Sequence, residues 1–250
     1  MIERFIIQLP VSFDNFEYIG NPLLKPETNN EFDLVLKYKD YKWGVFELTG
    51  FYSLVENYID GVYLPKSIVK PLTAKVYGVK KFENTGTASL YGFEYSYKSP
   101  IQHKLQGFLT AAYTFGVHKE VTVLTFDATN NPISSQKVEN DPLSEIPPMN
   151  INFGIVYELL NGIIIPKINM RYMAKQNKIS TAQFEIPTDA ASVLNVSLTY
   201  KQSQALSIVG GITNLMNSTY YEHLNRRILG TSTRMYEPGR VFYINMIFNL

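Results

Sequence analysis

The chain has 250 residues, of which 45% are apolar and 18% charged, so it has enough apolar side chains to bury a folded core. Its 23 basic and 22 acidic residues leave a net charge of +1, which gives no electrostatic basis for binding nucleic acid and excludes that class. No stretch reaches the roughly 20 consecutive apolar residues of a membrane-spanning helix, but a mean hydropathy of -0.09 is compatible with membrane-spanning strands.

Reactive and metal-binding groups are sparse in this sequence. It contains no cysteine, which excludes disulfides, thiolate zinc sites and a cysteine nucleophile. The histidines at positions 103, 118 and 223 form no spaced metal-binding pair, and no nucleophile elbow, P-loop or dinucleotide-binding motif opens a helix. Glu47 and Glu94 suit acid–base chemistry, but a polar lumen explains them without catalysis. We therefore expect no metal, no cofactor and no enzymatic activity.

The first ten residues contain an apolar run that is too short for a secretory signal, and no small-residue cleavage site follows it. From this segment we expect either a cytoplasmic protein or a mature or truncated piece of a longer one.

Alternation of apolar and polar residues recurs along the chain and predicts an all-β protein. In the first strand Phe32, Leu34 and Leu36 share one face, opposite Asp33 and Lys37. In chain order the predicted strands span residues 31–39, 45–55, 90–98, 105–117, 150–158, 163–173, 193–200, 206–213 and 241–250, with a tenth at 5–9 as a further candidate. Their apolar faces carry no charge, which fits either lipid or the interior of a soluble sandwich.

The connections between these strands are alternately short and long. Tight turns are predicted near residues 40–41, 100–103, 161–162 and 202–204, and long connections at 56–89, 118–149, 174–192 and 214–240. Loops beyond about 15 residues are uncommon in ordinary domains. An antiparallel up-and-down barrel with one rim of turns and one rim of loops has this alternation.

Aromatic residues recur at the ends of the strands that run toward the short turns. A ring with a polar tip suits the boundary between lipid and water, so these residues predict a girdle at one membrane interface. The interface residues are Tyr38, Trp43, Tyr97, Tyr157 and Tyr200.

The sequence also ends inside an alternating segment, which we interpret as a C-terminal assembly strand. Its apolar face consists of Phe242, Ile244, Met246, Phe248 and Leu250. In a closed barrel such a strand pairs with the first one and leaves no exposed edge.

Five segments together resemble outer-membrane TonB-dependent receptors. Residues 20–27 (GNPLLKPE) are similar to the family's GNPxLKPE segment, and residues 84–94 (NTGTASLYGFE) to its N-x-G-x-A…GxE strand. Residues 147–150 (PPMN) resemble its PPxN strand start, and residues 211–217 and 237–243 resemble its closing hairpin. The resemblance extends over about residues 1–250.

The resemblance implies that residues 1–250 are the C-terminal part of a 22-stranded transmembrane barrel whose plug domain is missing. It implies a gram-negative outer membrane as the location, surrounding lipid, and the barrel assembly machinery as a partner. The TonB energy-transducing complex would act through the missing N-terminal part on uptake of a small solute or glycan that the sequence does not identify. Two departures from the family are Leu250, where a terminal Phe is common, and Pro166 inside a strand, which predicts a bulge or irregularity near the 161–162 turn.

The last long connection is the richest in side chains suited to ligand contact. Aromatic rings stack on sugars or flat chelates, and guanidinium groups bind anions in a bidentate manner. The candidates are Tyr220, Tyr221, His223, Arg226, Arg227 and Arg234. A solvated basic loop near anionic lipopolysaccharide is the alternative interpretation.

Two other readings of the whole chain stay open at this point. One is a self-contained outer-membrane barrel of about ten strands acting as a hydrolase or adhesin. The other is a soluble β-rich binding module.

Overall fold

The computed structural model describes residues 2–11, 14–74, 76–128, 131–228, 231 and 233–249. One short helix, α1 (Ile2–Phe5), precedes the strands, and a 3-10 turn (Leu160–Gly162) lies between two of them. The strands are β1 (Leu9–Val11), β2 (Phe16–Ile19), β3 (Thr28–Asp40), β4 (Gly44–Glu56), β5 (Ile59–Leu64), β6 (Val79–Asn84), β7 (Thr87–Lys98), β8 (Leu105–Phe126), β9 (Pro132–Pro142), β10 (Asn150–Tyr157), β11 (Ile164–Met173), β12 (Ala191–Lys201), β13 (Leu206–Thr213) and β14 (Val241–Phe248).

The main sheet confirms the predicted up-and-down arrangement. Its strands lie in the order β14-β13-β12-β11-β10-β8-β7-β4-β3, and every neighbouring pair is antiparallel. These are the nine strands that the alternation predicts, with bounds shifted by three residues or fewer except in β8, which ends nine residues beyond its predicted end. Among the described residues β3 and β14 are the two edges of the sheet, so the barrel is not closed. Leu250, the last residue of the predicted assembly strand, lies outside the described residues.

The sequence predicts a long loop at residues 118–149, but much of this connection is a β-hairpin. β8 continues to Phe126 and pairs with β9 from Val117–Pro142 to Phe126–Pro132. Val117 and His118 pair with β7 on one side and with β9 on the other, so β9 lies above β10 on the same edge of β8. β-branched residues such as Val121 and Val123 favour the extended backbone of this β8–β9 hairpin.

A second, four-stranded sheet was also missed by the sequence reasoning. It has the order β1-β2-β6-β5 and contains one parallel pair, β2 with β6. We call it the small sheet. It uses the N-terminal segment together with the 56–89 connection, and its strands of three to six residues are too short for a reliable alternation signal.

The prediction of a tenth barrel strand at residues 5–9 is wrong. Ile2–Phe5 is helical, and only Leu9 belongs to a strand, which lies in the small sheet. Local hydrogen bonds explain the difference, because the Gly20 N–H donates to the Ile6 carbonyl (2.7 Å) and the Asn21 N–H to the Glu3 carbonyl (2.9 Å). The segment therefore folds back on residues 20–21 and adds no strand to the main sheet.

The irregularity predicted from Pro166 is present beside the 3-10 turn. The last pair of the β10–β11 ladder is Val156–Lys167, so the ladder ends at the residue next to Pro166 and does not include the proline. On its other side β11 stays paired with β12 at Pro166–Leu198. The missing proline N–H thus falls where one of the two ladders has ended. Leu160 (φ 47°) and Asn161 (φ 57°) adopt left-handed backbone conformations in the turn itself.

The best-buried side chains lie in the small sheet and the long connections, and few lie in the main sheet. Phe16, Tyr18 and Val79 of the small sheet are almost fully buried. In the part of the chain that the structure describes, no helix is long and apolar enough to cross a membrane.

Candidate functional site

One face of the main sheet is apolar and exposed. On β11 and β12 it includes the cross-strand pairs Ile168–Val196 and Met170–Leu194. Leu36 is 56% exposed and pairs with Leu48, and Ile168 is 54% exposed and pairs with Val196. Apolar side chains with apolar partners are thus left uncovered on this face. An apolar surface of this extent is unfavourable in water, so the face requires a partner that is itself apolar.

Aromatic rings border this apolar face at both ends. At the short-turn end, register brings Tyr38, Phe46 and Tyr97 side by side, with ring centroids 5.0 Å apart for Tyr38–Phe46 and 6.4 Å for Phe46–Tyr97. Trp43 lies in the adjoining turn, where its carbonyl accepts a hydrogen bond from the Tyr97 hydroxyl (3.1 Å). Tyr157 and Tyr200 lie at the corresponding ends of β10 and β12. We call these residues the turn-side belt.

A second belt, toward the long connections, was not predicted. Phe32, Tyr52, Tyr91 and Phe115 are paired in one row across β3, β4, β7 and β8, and the Tyr91 and Phe115 rings are 5.5 Å apart. On β3, β4 and β7 this loop-side belt lies six residues from the turn-side belt, about 20 Å along a strand. The signal was available in the sequence as aromatic residues at this fixed spacing on consecutive strands.

The opposite face of the main sheet is polar and concave. A cavity of about 400 Å³ is lined by residues of five neighbouring strands, including Glu47, Glu94, Thr110, Asn152 and Arg171. Both predicted carboxylates therefore lie on the polar face. Glu47 pairs with Lys37 (2.9 Å), and the Asn169 amide donates to Asn152 (3.1 Å).

Arg171 joins this polar wall to the last long connection. Its guanidinium donates to both carboxylate oxygens of Glu222 (2.6 and 3.1 Å), and its Nε donates to Asn150 (3.0 Å). A bidentate arginine–carboxylate pair fixes direction as well as distance. The 214–240 loop is thereby held against the inner wall of the sheet.

The six predicted ligand-contact residues lie in this 214–240 loop, but they have different environments. His223 is buried, with its Nε2 2.9 Å from Glu185 and its Nδ1 3.1 Å from the Thr188 hydroxyl. Arg234 is buried and donates to the backbone carbonyls of His223, Asn225 (3.1 Å) and Ile186 (3.0 Å).

Of the other four candidates, three retain exposed surface and the fourth, Arg227, is buried with side-chain nitrogen atoms that make no hydrogen bond within the described part of the chain. Arg226 is exposed and pairs with Glu145, whereas Arg227 is buried with its Nε and Nη2 free of hydrogen bonds to described residues. Burial lowers the pKa of both Arg227 and Arg234 below the usual arginine range. Tyr220 and Tyr221 are half-buried, and the Tyr221 ring meets the Tyr236 ring edge-on at 5.5 Å.

The structure also brings together a buried polar cluster that sequence reasoning missed. Lys80 of β6 pairs with Asp14 (2.7 Å) and donates a further hydrogen bond to the Gln183 side-chain carbonyl, while the Gln183 amide nitrogen donates to Asp60 (2.6 Å). Burial raises the pKa of the Asp60 carboxyl. These four residues are far apart in the sequence, and no local pattern distinguishes them from surface residues.

A cavity of about 580 Å³ adjoins this cluster. It lies between the small sheet, the inner face of the β8–β9 hairpin and the 174–190 loop, and it is lined among others by Asp60, Tyr63, Glu120, Gln183 and Phe184. No group of three or more His, Asp or Glu side chains arranged to hold a metal ion occurs among the described residues.

The sheet and its two faces define a class of protein, an up-and-down β-barrel wall with an apolar outside and a polar inside. The chain belongs to the family of TonB dependent receptor-like β-barrel domains, whose family model matches residues 6–215. None of the curated proteins compared with the chain matches it.

Solved structures with the same fold include three transporters or receptors. The copper transporter OprC is 21% identical with a TM-score of 0.70, over 92% of this chain and 31% of its own. The G324V mutant of the ferric enterobactin receptor PfeA from Pseudomonas aeruginosa is 18% identical (TM-score 0.61, 93% and 32%). The FrpB iron transporter from Neisseria meningitidis is 13% identical (TM-score 0.60, 92% and 31%). The chain thus spans about a third of the length of these proteins, and identities this low establish the fold alone.

Proposed function

We propose that residues 1–250 form the C-terminal part of the barrel of an outer-membrane receptor in a gram-negative bacterium. The observation that carries this proposal is the uncharged face bordered by two aromatic belts, with a polar concave face behind it. Lipid accommodates the first face and a hydrated or plug-filled lumen the second. Membership in the family of TonB dependent receptor-like barrels supports the same conclusion.

The complete receptor, on this proposal, is a transporter without enzymatic activity. It takes up a scarce solute such as a ferric siderophore, cobalamin or a glycan, in a step that the TonB complex drives through the N-terminal plug part. The barrel assembly machinery inserts it into the membrane, with β14 as the assembly strand. The iron and copper named for the structural neighbours support a metal-bearing solute as one candidate.

An uptake experiment tests this proposal. Cells with the complete receptor and cells with its gene deleted are given ⁵⁵Fe-siderophore, ⁵⁷Co-cobalamin or a labelled glycan, with and without a protonophore. We expect one probe to enter only when the receptor is present and the proton gradient is intact. Uptake that survives the protonophore would contradict energy coupling. Reading the gene upstream of Met1 checks the plug separately.

The ligand-contact role of the 214–240 loop is part of this proposal. Tyr220, Tyr221 and Arg226 retain exposed surface, so they are better placed to meet a solute than the buried His223 and Arg234. Alanine at Tyr221 should weaken solute binding to the complete receptor. Alanine at Tyr41, a tyrosine 91% exposed at the opposite rim, is the matched control and should leave binding unchanged. Equal binding by both variants would remove Tyr221 from the site.

A further inference from the structure

Residues 180–185 form a turn in the 174–190 loop that contacts three other units. We call it the 180–185 turn. Its Ser180 contacts the β8–β9 hairpin, its Gln183 contacts the small sheet, and its Glu185 contacts the 214–240 loop. All three contacts are polar, and all three side chains are buried or nearly so.

The contact with the hairpin fixes the shape of the turn. The Asp141 carboxylate accepts the Ser180 hydroxyl (2.7 Å) and the backbone N–H groups of Thr181 (3.1 Å) and Ala182 (3.3 Å). The Ser180 hydroxyl in turn accepts the Gln183 N–H (3.1 Å). These hydrogen bonds to one buried carboxylate hold residues 180–182 together, because a residue that moves alone leaves the buried Asp141 oxygens without that partner.

The contact with the small sheet depends on one neutral side chain between two charges. The Gln183 amide nitrogen donates to Asp60 (2.6 Å), and its carbonyl oxygen accepts the Lys80 ammonium. The same ammonium lies 4.5 Å from the centroid of the Phe16 ring and pairs with Asp14. Since Gln183 is 3% exposed, water cannot replace it without opening the cluster.

Glu185 makes the contact with the 214–240 loop through one of its two carboxylate oxygens. One accepts from His223 Nε2 (2.9 Å) and from the Glu145 N–H (2.8 Å), and the other accepts the Ser180 N–H (3.0 Å). Glu185 therefore joins the turn, the segment after β9 and the last loop at one carboxylate.

We infer that the 180–185 turn is a latch that couples the small sheet to the 214–240 loop. The turn moves as one body, so displacement of Gln183 at one end displaces Glu185 at the other. Ala182, Gln183 and Phe184 also line the 580 Å³ cavity, so a solute that enters this cavity meets the small-sheet end of the latch. Contact there would change how tightly the last loop is held.

Hydrogen–deuterium exchange of the purified complete receptor, without solute, tests the coupling. The existence of a complete receptor rests on the proposed function, but the exchange readout needs no transport, so a failed uptake experiment leaves it interpretable. In the last loop the Met235 N–H donates to the Arg226 carbonyl (2.9 Å) and the Ile228 N–H to the Thr233 carbonyl (2.8 Å), which makes peptides over 226–235 reporters of the order of this loop.

Gln183→Met keeps the size of the side chain and removes both hydrogen bonds. We expect exchange over 226–235 to accelerate about tenfold or more, since two hydrogen bonds to charged groups are lost. Gln136→Met, an exposed glutamine of β9, is the matched control and should leave exchange unchanged. Acceleration in β5 and β6 with no change over 226–235 would overturn the inference.

The reverse perturbation gives a second, independent test. His223→Gln weakens the last-loop end of the latch, and coupling free energies are reciprocal. Exchange in β5 and β6 should then accelerate by a similar factor. If Gln183→Met does not fold, this variant and Ser180→Ala decide the question, and unchanged exchange in the small sheet in both would overturn the inference.

Discussion

Leu48 and Thr49 allow the two faces of the main sheet to be compared at one depth. They are adjacent on β4, and Leu48 pairs with Leu36 and Tyr95 on the apolar face. Thr49 faces the polar cavity and pairs with Glu94. Leu48 is two residues from Phe46 in the turn-side belt and four from Tyr52 in the loop-side belt, so it lies within about 3.4 Å of the middle of the apolar band along the strand.

On the proposed function, Leu48→Arg in the complete receptor would place a guanidinium close to the membrane midplane. The expected loss is about 2 to 4 kcal/mol of folding free energy, or about 30-fold to 1,000-fold in the folded-to-unfolded ratio. Thr49→Arg introduces the same side chain one residue away, beside the Glu94 carboxylate and the polar lumen. There the change should stay within about 1 kcal/mol, because the charge remains hydrated or paired.

The assay is equilibrium unfolding in urea of receptor refolded into lipid vesicles, followed by heat-modifiable gel mobility and tyrosine fluorescence. Leu48→Arg should lower the unfolding midpoint strongly and reduce the folded yield, while Thr49→Arg should resemble the wild type. Equal losses in the two variants would refute the assignment of the faces. A larger loss in Thr49→Arg would mean that lipid lies on the other side of the sheet.

Three further predictions follow from other parts of the molecule. Gly92→Ala should destabilise the complete receptor by about 1 to 3 kcal/mol, because a Cβ there would lie 2.1 Å from the Tyr113 carbonyl oxygen. At Gly50 the nearest atom to an added Cβ is 4.0 Å away, so Gly50→Ala should cost less than about 1 kcal/mol in the same urea assay. Protease added to intact cells should cut the connection between β8 and β9 and should not cut the turn between β12 and β13. Mass spectrometry identifies the released peptides, and cleavage at the turn alone would mean that the topology is inverted. Burial raises the pKa of Asp60, so the charged carboxyl destabilises the folded cluster as the pH rises through that raised value. The stability of Asp60→Asn relative to wild type, measured by exchange in β5 and β6, should therefore increase as the pH rises above the ordinary aspartate pKa of about 4, and a pH-independent difference would contradict the shift.

The main sheet was predictable because each of its strands carries its own signal. The alternation in residues 31–39 or 163–173 follows from having lipid-compatible and polar faces on one strand, and the neighbour along the chain is also the neighbour in space. The turn-side belt was predictable for the same reason. Its residues stand at strand ends that the sequence already locates.

The small sheet and the latch were not predictable in this way. β2 pairs with β6 across some 60 residues of sequence, and strands of a few residues fit many patterns. Gln183, Asp60 and Lys80 acquire their role only from tertiary contacts, so nothing local marks them as buried. In the 214–240 loop, residue type alone selects six candidates, and burial separates them, because the buried His223 and Arg234 bond other parts of the chain.

The β8–β9 hairpin also has a consequence for engineering. Its last contact with β7 is at His118, so residues 119–126 extend beyond the sheet by about 27 Å. The inner face of this ribbon is supported by the ring of Phe126, which packs on Tyr63 and Phe184 of the units below it. A peptide inserted into the connection between β8 and β9 would lie outside the ladders of the main sheet, so on the proposed function this hairpin is suited to displaying an epitope or a binding domain on a cell.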